Sequence, residues 1–220
     1  MTKTITVKGM GNVSAKPDLI VVTMILESMD KSYDQAMHLS VEKISKLTAA
    51  LMDVGFEKSD LKTTNFNVKT EYDSVKRNGR YEQVFLGYKC IQNLKLQFDL
   101  DVQRLAIVLG KISSCMADPD MQIRFTVKNP SAISEELLRS ATSNAKTKAE
   151  ILCDASGKAL GDLLSISYNW GEIDVYSHTR FSMEDAVVCC AAGAADFEEM
   201  NIEPDGIEVS DTVTFIWEIK

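Results

Sequence analysis

The order of strand-like and helix-like runs in this 220-residue chain predicts an α+β fold, antiparallel sheet with long helices packed on one face. Three observations carry that reading. Two long strand-like runs, Leu61 to Val75 and Tyr81 to Phe98, flank Lys76-Arg77-Asn78-Gly79-Arg80, whose Asn-Gly pair is the strongest short hairpin signal. Two long runs with apolar residues spaced by threes and fours each stop at a glycine, Gly55 and Gly157. The closing run, Ile207 to Ile219, alternates Ile207, Val209, Val213, Phe215 and Trp217 against Glu208, Ser210, Thr212 and Thr214.

In chain order, Ile5 to Val13 alternates as a strand with Gly9 and Gly11 between its apolar residues. Pro17 then precedes the apolar block Leu19 to Leu26. The first two strands are expected to face each other across a short turn, the second buried on both sides. Ser32 to Val54 reads as a helix with Met37, Val41, Ile44, Leu47, Leu51 and Val54 inward, capped by Asp30 or Ser32. In the second hairpin arm Tyr88, Cys90, Gln92, Leu94, Leu96 and Phe98 share a face. Asp101 caps a helix from Val102 to Ser114 with Leu105, Val108, Leu109 and Ile112 as its buried stripe, and Met121 to Val127 supplies a short strand. A helix from Ser131 to Ala155 presents Leu138, Ala141, Ala145, Ala149 and Leu152, mostly small residues that let it lie close to a sheet. Strand Leu163 to Trp170 and the closing strand follow, separated by a long acidic loop, residues 171–204. The order reads as one domain over 1–220 with an internal strand, helix, hairpin repeat, blurred by the added helix and the loop.

The net charge of −8 argues against a surface that tracks phosphates, so nucleic acid is not an expected partner. The N-terminus lacks the apolar core and cleavage site of a secretory leader, and the longest apolar run is well short of the roughly 20 residues that span a bilayer. The expected setting is cytoplasmic, or periplasmic or envelope if a leader has been removed. Five cysteines, with no C-x-x-C pair, fit a reducing compartment.

No motif assembles a catalytic, cofactor-binding or metal-ligating set. Gly9-x-Gly11 lacks the third glycine and the following helix of a dinucleotide loop, and reads as room for close approach. Thr63, Thr64 and Asn65 enter a strand, where such side chains satisfy backbone and cross-strand partners. His38 and His178 are the only histidines; a general-base role for His178 would need Asp174 or Glu184 beside it. Cys90, Cys115 and Cys153 lie on apolar faces and read as core. Adjacent Cys189 and Cys190 are the candidate redox residues, although Glu184, Asp185, Asp196 and Glu198 oppose thiolate formation there. Lys76, Arg77, Asn78, Gly79 and Arg80 are the candidate interaction residues, a cationic tip on an acidic chain suited to an electrostatic contact with a neighbouring subunit.

Taken together, several segments resemble the SIMPL-domain family. They are Val7-Lys8-Gly9-Met10-Gly11 with Pro17-Asp18, and Gly55 leading to Asp60-Leu61-Lys62-Thr63-Thr64-Asn65-Phe66. Further on they are Gly87-Tyr88-Lys89-Cys90-Ile91-Gln92-Asn93-Leu94, Gly157-Lys158-Ala159-Leu160-Gly161, and Ile202-Glu203-Pro204-Asp205-Gly206-Ile207-Glu208-Val209. The resemblance covers nearly the whole chain. It implies a protein without accepted catalytic residues, in a group of envelope or cytosolic proteins linked to oxidative stress, antigenicity and protein association. The function expected is therefore non-enzymatic, through homo-oligomerisation or binding of other proteins, with no cofactor and no membrane span. The alternative is a thiol-based stress protein using Cys189 and Cys190.

Overall fold

The computed structural model describes residues 3–77, 80–168, 173–179, 181–182 and 203–220, with residues 77, 181 and 182 described by backbone alone. Its elements are β1 (Thr4–Ala15), β2 (Leu19–Asp30), α1 (Tyr33–Met52), β3 (Lys62–Arg77), β4 (Arg80–Asp99), α2 (Val102–Ser114), β5 (Asp120–Thr126), α3 (Pro130–Ala155), β6 (Leu160–Tyr168), β7 (Phe181–Ser182) and β8 (Ile207–Ile219). This is the α+β architecture the sequence predicts, with the two-residue β7 added from within the acidic loop. The strands form two sheets, β1-β8-β6 and β3-β4-β2-β5-β7. The chain divides into two compact units, Met1–Asp18, Thr126–His178 and Pro204–Lys220 in the first, Leu19–Phe125 and Thr179–Glu203 in the second.

The expected pairing of the first two strands does not form. β1 pairs antiparallel with β8, from Thr4↔Glu218 to Ala15↔Ile207, while β2 pairs with β4 in the other sheet. Lys16-Pro17-Asp18 carries the chain between sheets instead of turning it back. Asp18 accounts for the fixed exit: its N–H donates to the Thr126 carbonyl at 3.0 Å and its carboxylate accepts from Lys128 N–H at 2.7 Å. β2 is buried on both faces only over Ile20 to Val22 and alternates from there on.

In the first unit α3 lies on the three-stranded sheet along a row of small residues. Ala141, Ala145 and Ala149 are fully buried, with Val7, Val213, Phe215 and Trp217 opposite. The row continues to buried Cys153, whereas Leu152, expected inward, is 52% exposed. Spacing by four from Ala141 leads to 153, one residue beyond the leucine. Gly9 and Gly11 make the close approach possible. A Cβ at Gly9 would overlap the Ala141 carbonyl oxygen and stand 2.7 Å from the Ala145 Cβ; at Gly11 it would overlap the Leu137 carbonyl oxygen.

In the second unit α1 and α2 cover one face of the five-stranded sheet. Leu47, Leu51, Leu105, Val108, Leu109 and Ile112 meet Ile20, Val22, Met24, Leu26, Leu94, Leu96 and Phe98. Asp101 caps α2 as expected, its carboxylate accepting from Arg104 N–H at 2.9 Å. Replacing it with alanine is expected to cost about 1 kcal/mol, read by urea denaturation. Arg104 lies over the Phe56 ring at 4.2 Å and near Phe98 at 5.7 Å, so its stem and charge close the end of this core.

Candidate interaction surface

The feature that stands apart is the far end of the β3–β4 hairpin. β4 pairs with β2 only from Tyr88 to Asp99, because β2 ends at Asp30. From Phe85 back to Arg80, β3 is the partner of β4 and no other described strand joins, from Tyr72↔Phe85 to Arg77↔Arg80. Six residues of each strand, roughly 20 Å of ribbon, thus run beyond the sheet. A two-stranded ribbon is marginal in water unless something packs on it.

The ribbon departs at a defined joint. Gly87 passes so close to the end of β2 that a Cβ there would stand 2.5 Å from the Asp30 carbonyl oxygen. The register shifts between Glu71 and Tyr72, leaving Leu86 as an extra residue in β4. Such a bulge bends the strand and resets which side chains share a face. Phe85 thereby joins Tyr88: the two rings meet edge to face at 5.5 Å, and Tyr72–Phe85 and Tyr33–Tyr88 do so at 5.6 Å each. Four rings form one chain of contacts from the start of α1 out along the ribbon. Tyr72 and Tyr33 are half exposed, Phe85 is 39% exposed, and Tyr81, nearer the tip, is 73% exposed with the Lys76 ammonium 5.9 Å from its ring centre.

Charge changes along the same surface. At its base Lys89 is held by Glu27 at 2.7 Å, and this hydrogen bond raises the lysine above its ordinary pKa. Lys69 pairs with Glu71 at 3.2 Å. Between Tyr72 and Phe85 three cations, Lys76, Arg77 and Arg80, outnumber Asp73 and Glu82 on a chain of net charge −8. Of the predicted interaction residues, Lys76 and Arg80 sit exposed at the end of the ladder and Arg77 pairs there through its backbone. Asn78 and Gly79 lie outside the described residues. The aromatic chain behind them was not legible, since it depends on the bulge.

Elsewhere the predicted positions are structural or separated. Thr63 accepts a hydrogen bond from Gln92 Nε2 at 3.3 Å, and Thr64 donates to the Asn93 carbonyl at 3.2 Å. Cys90 and Cys153 are buried, the Cys90 thiol against Met37 sulfur at 3.7 Å, and the Cys115 thiol donates to the Ile112 carbonyl at 3.0 Å. His38 is exposed on α1. His178, also exposed, borders a shallow depression of about 500 Å³ with Asn12, Ser14, Glu208 and Ser210. Asp174, its expected partner, borders a different depression with Ser131, Ser134 and Tyr168. Glu184, Cys189 and Cys190, with Asp185, Asp196 and Glu198, lie outside the described residues. Among the described residues no group of three metal-ligating side chains comes together, and no helix is long and apolar enough to cross a membrane.

Known proteins are similar in sequence to this chain over most of its length. It is 27% identical to the "26 kDa periplasmic immunogenic protein" of Brucella melitensis over 164 residues, 74% of this chain and 65% of that one. The protein of the same name from Brucella abortus is 26% identical over the same shares. This chain thus spans 65% of the length of the Brucella proteins it matches. "Uncharacterized protein YggE" of Edwardsiella ictaluri is 20% identical over 202 residues, 91% of this chain and 83% of that one. The SIMPL family model, described as a protein of unknown function (DUF541), matches residues 5–217, through both sheets and the projecting hairpin, and the chain accordingly belongs to the SIMPL family.

Proposed function

We propose that this SIMPL-family chain is a non-enzymatic association module that joins copies of itself, or other proteins, through the β3–β4 ribbon. The observation that carries the reading is a paired ribbon that, among the described residues, has neither a third strand nor a helix over it, exposing Tyr72, Tyr81 and Phe85 beside a cationic tip. Aromatic side chains set among cations are the residue types that dominate binding energy at interfaces. A basic tip on an acidic chain also favours a second copy, because the surface it would meet carries the opposite charge on average. The names of the Brucella relatives support a periplasmic setting for this activity over the cytoplasmic one expected from the N-terminus.

The test is sedimentation velocity of the wild type and of the double variant Tyr81→Ser/Phe85→Ser. Tyr81 is 73% exposed and outside the ring chain, so Tyr81→Ser alone, run beside the double variant, should keep its thermal midpoint and separates loss of surface from loss of the Tyr72–Phe85–Tyr88 contacts. Each anchor of about 2 kcal/mol is worth roughly 30-fold in association, so the double variant, which removes two, should weaken it by at least that much. A wild-type chain that stays monomeric at high micromolar concentration and binds no partner, or an association the double variant leaves unchanged, would sink the proposal.

A further inference from the structure

A sheet edge presents unpaired backbone N–H and C=O groups, and folded chains blunt such edges with cover, lysines or brevity. Among the described residues the two sheets have four edges, β1, β6, β3 and β7. Three carry such a device. Along β1, helix α3 lays Ser140, Asn144 and Lys148 at intervals of four. Asn12 N–H donates to Ser140 Oγ at 3.4 Å, Met10 N–H to Asn144 Oδ1 at 3.0 Å, and Lys148 Nζ to the Lys8 carbonyl at 3.3 Å. β3 carries Lys62, Lys69 and Lys76 along its length, and β7 is two residues long.

β6 is the exception. Its nine residues include no proline and no cation, and its one charge, Asp162, lies 3.9 Å from Lys220. Leu163 is in register with Trp217, Ile166 with Phe215 and Tyr168 with Val213, the buried row of β8. Yet Leu163 is 48% and Ile166 56% exposed. The apolar row that begins in the core therefore runs out at an edge that no other described strand or helix covers. Two register shifts, both before Ser165, bend the start of β6 and leave Ser165 to Tyr168 as regular strand.

We propose that β6 pairs antiparallel with β6 of a second copy about a two-fold axis through Ile166, joining two three-stranded sheets into one of six. A two-fold contact must be self-complementary, and this strip is. Within the regular segment the register sets Ile166 against Ile166 and Ser165 against Ser167, while Leu164, at the register shift, comes up to Tyr168 at its margin. Apolar residues meet apolar ones, hydroxyls meet hydroxyls, and Asp162 falls beyond the regular segment, so like charges are not opposed. No charge within that segment selects a different chain. The inference rests on the self-association proposed above but uses a different surface.

Sedimentation velocity of the wild type, Ile166→Lys and Tyr81→Ser/Phe85→Ser separates the two surfaces. Ile166→Lys sets two ammonium groups against each other at the axis, and the dimer should weaken several-fold, up to about 30-fold, with unchanged far-ultraviolet circular dichroism. An Ile166→Cys chain, mildly oxidised, supplies a second readout that does not depend on the lysine variant folding. Directly opposed residues have Cα atoms about 4.5–5.5 Å apart, within disulfide reach, so peptide mass spectrometry should find a 166–166 link. Dimer loss with Ile166→Lys together with that link supports β6 pairing, whatever the ribbon variant does. A dimer that Ile166→Lys leaves intact, with no 166–166 link, overturns it, and the ribbon proposal stands if the double variant dissolves that dimer. A wild type that is monomeric throughout overturns β6 pairing outright.

Discussion

Replacing Gly9 with alanine is expected to destabilise the first unit by about 3 kcal/mol or more, lowering its thermal midpoint by about 12–24 °C. The size follows from what the new methyl group meets. It would overlap the backbone carbonyl oxygen of Ala141 and stand 2.7 Å from the Ala145 Cβ, with no rotamer available for escape. Either β1 must leave β8, with which it is paired over its whole length, or α3 must lift from a row of fully buried alanines. Gly11→Ala should behave alike, because the same helix presents the Leu137 carbonyl there.

Two further substitutions separate this cause from a general intolerance of alanine. Ala145→Gly removes the Cβ collision but not the carbonyl one, so Gly9→Ala/Ala145→Gly should remain destabilised. Gly110→Ala, on α2, meets nothing within 4 Å and should stabilise the chain by about 0.5–1 kcal/mol through helix propensity. Trp217, stacked on Phe215 at 5.2 Å, belongs to the cluster that contains Ala141 and Ala145, so its fluorescence reads this unit. A Gly9→Ala chain that loses less than 1 kcal/mol by that signal would show that the helix and sheet can separate cheaply.

Most of the elements were legible because they rest on short-range periodicity. The cap at Asp101, the glycine stops at Gly55 and Gly157, the Asn-Gly hairpin and the alternation of β8 all depend on residues within a few positions of one another. Strand partners do not. Alternation in Ile5 to Val13 shows that one face is buried but not which strand lies alongside, and a three-residue link to β2 looks like a hairpin turn. The true partner, β8, lies some 200 residues further on. Leu152 misled for a related reason: its hydrophobicity outweighed a strict spacing of four that leads from Ala141 through Ala149 to Cys153.

The candidate surface was half legible. Lys76, Arg77 and Arg80 stand out as cations around a turn on an acidic chain. That they crown a projecting ribbon depends on where β2 stops, and the aromatic chain behind them depends on one extra residue at Leu86. Edge protection was hidden for the same reason. Ser140, Asn144 and Lys148 read as an ordinary polar helix face until β1 is seen to end its sheet beneath them.

Phe125→Ala is expected to cost the second unit about 4 kcal/mol, near the middle of the range for deleting a buried aromatic ring. Phe125 is fully buried in the cluster that holds Met24, Leu96, Leu105, Ile112 and Ile123. How much of the cost survives depends on whether the site can collapse. The ring is walled by side chains of β2, β4 and α2 as well as its own strand, each held by further buried contacts, so the cavity should persist. Neither tryptophan lies between Leu19 and Phe125, so amide hydrogen exchange is the suitable measurement: protection of Leu94, Leu96 and Ile123 should fall by roughly 1,000-fold in the variant. Phe125→Leu, which keeps most of the buried volume, should cost much less than Phe125→Ala. A Phe125→Ala chain whose amides keep wild-type protection would mean that the surrounding side chains close over the vacated space.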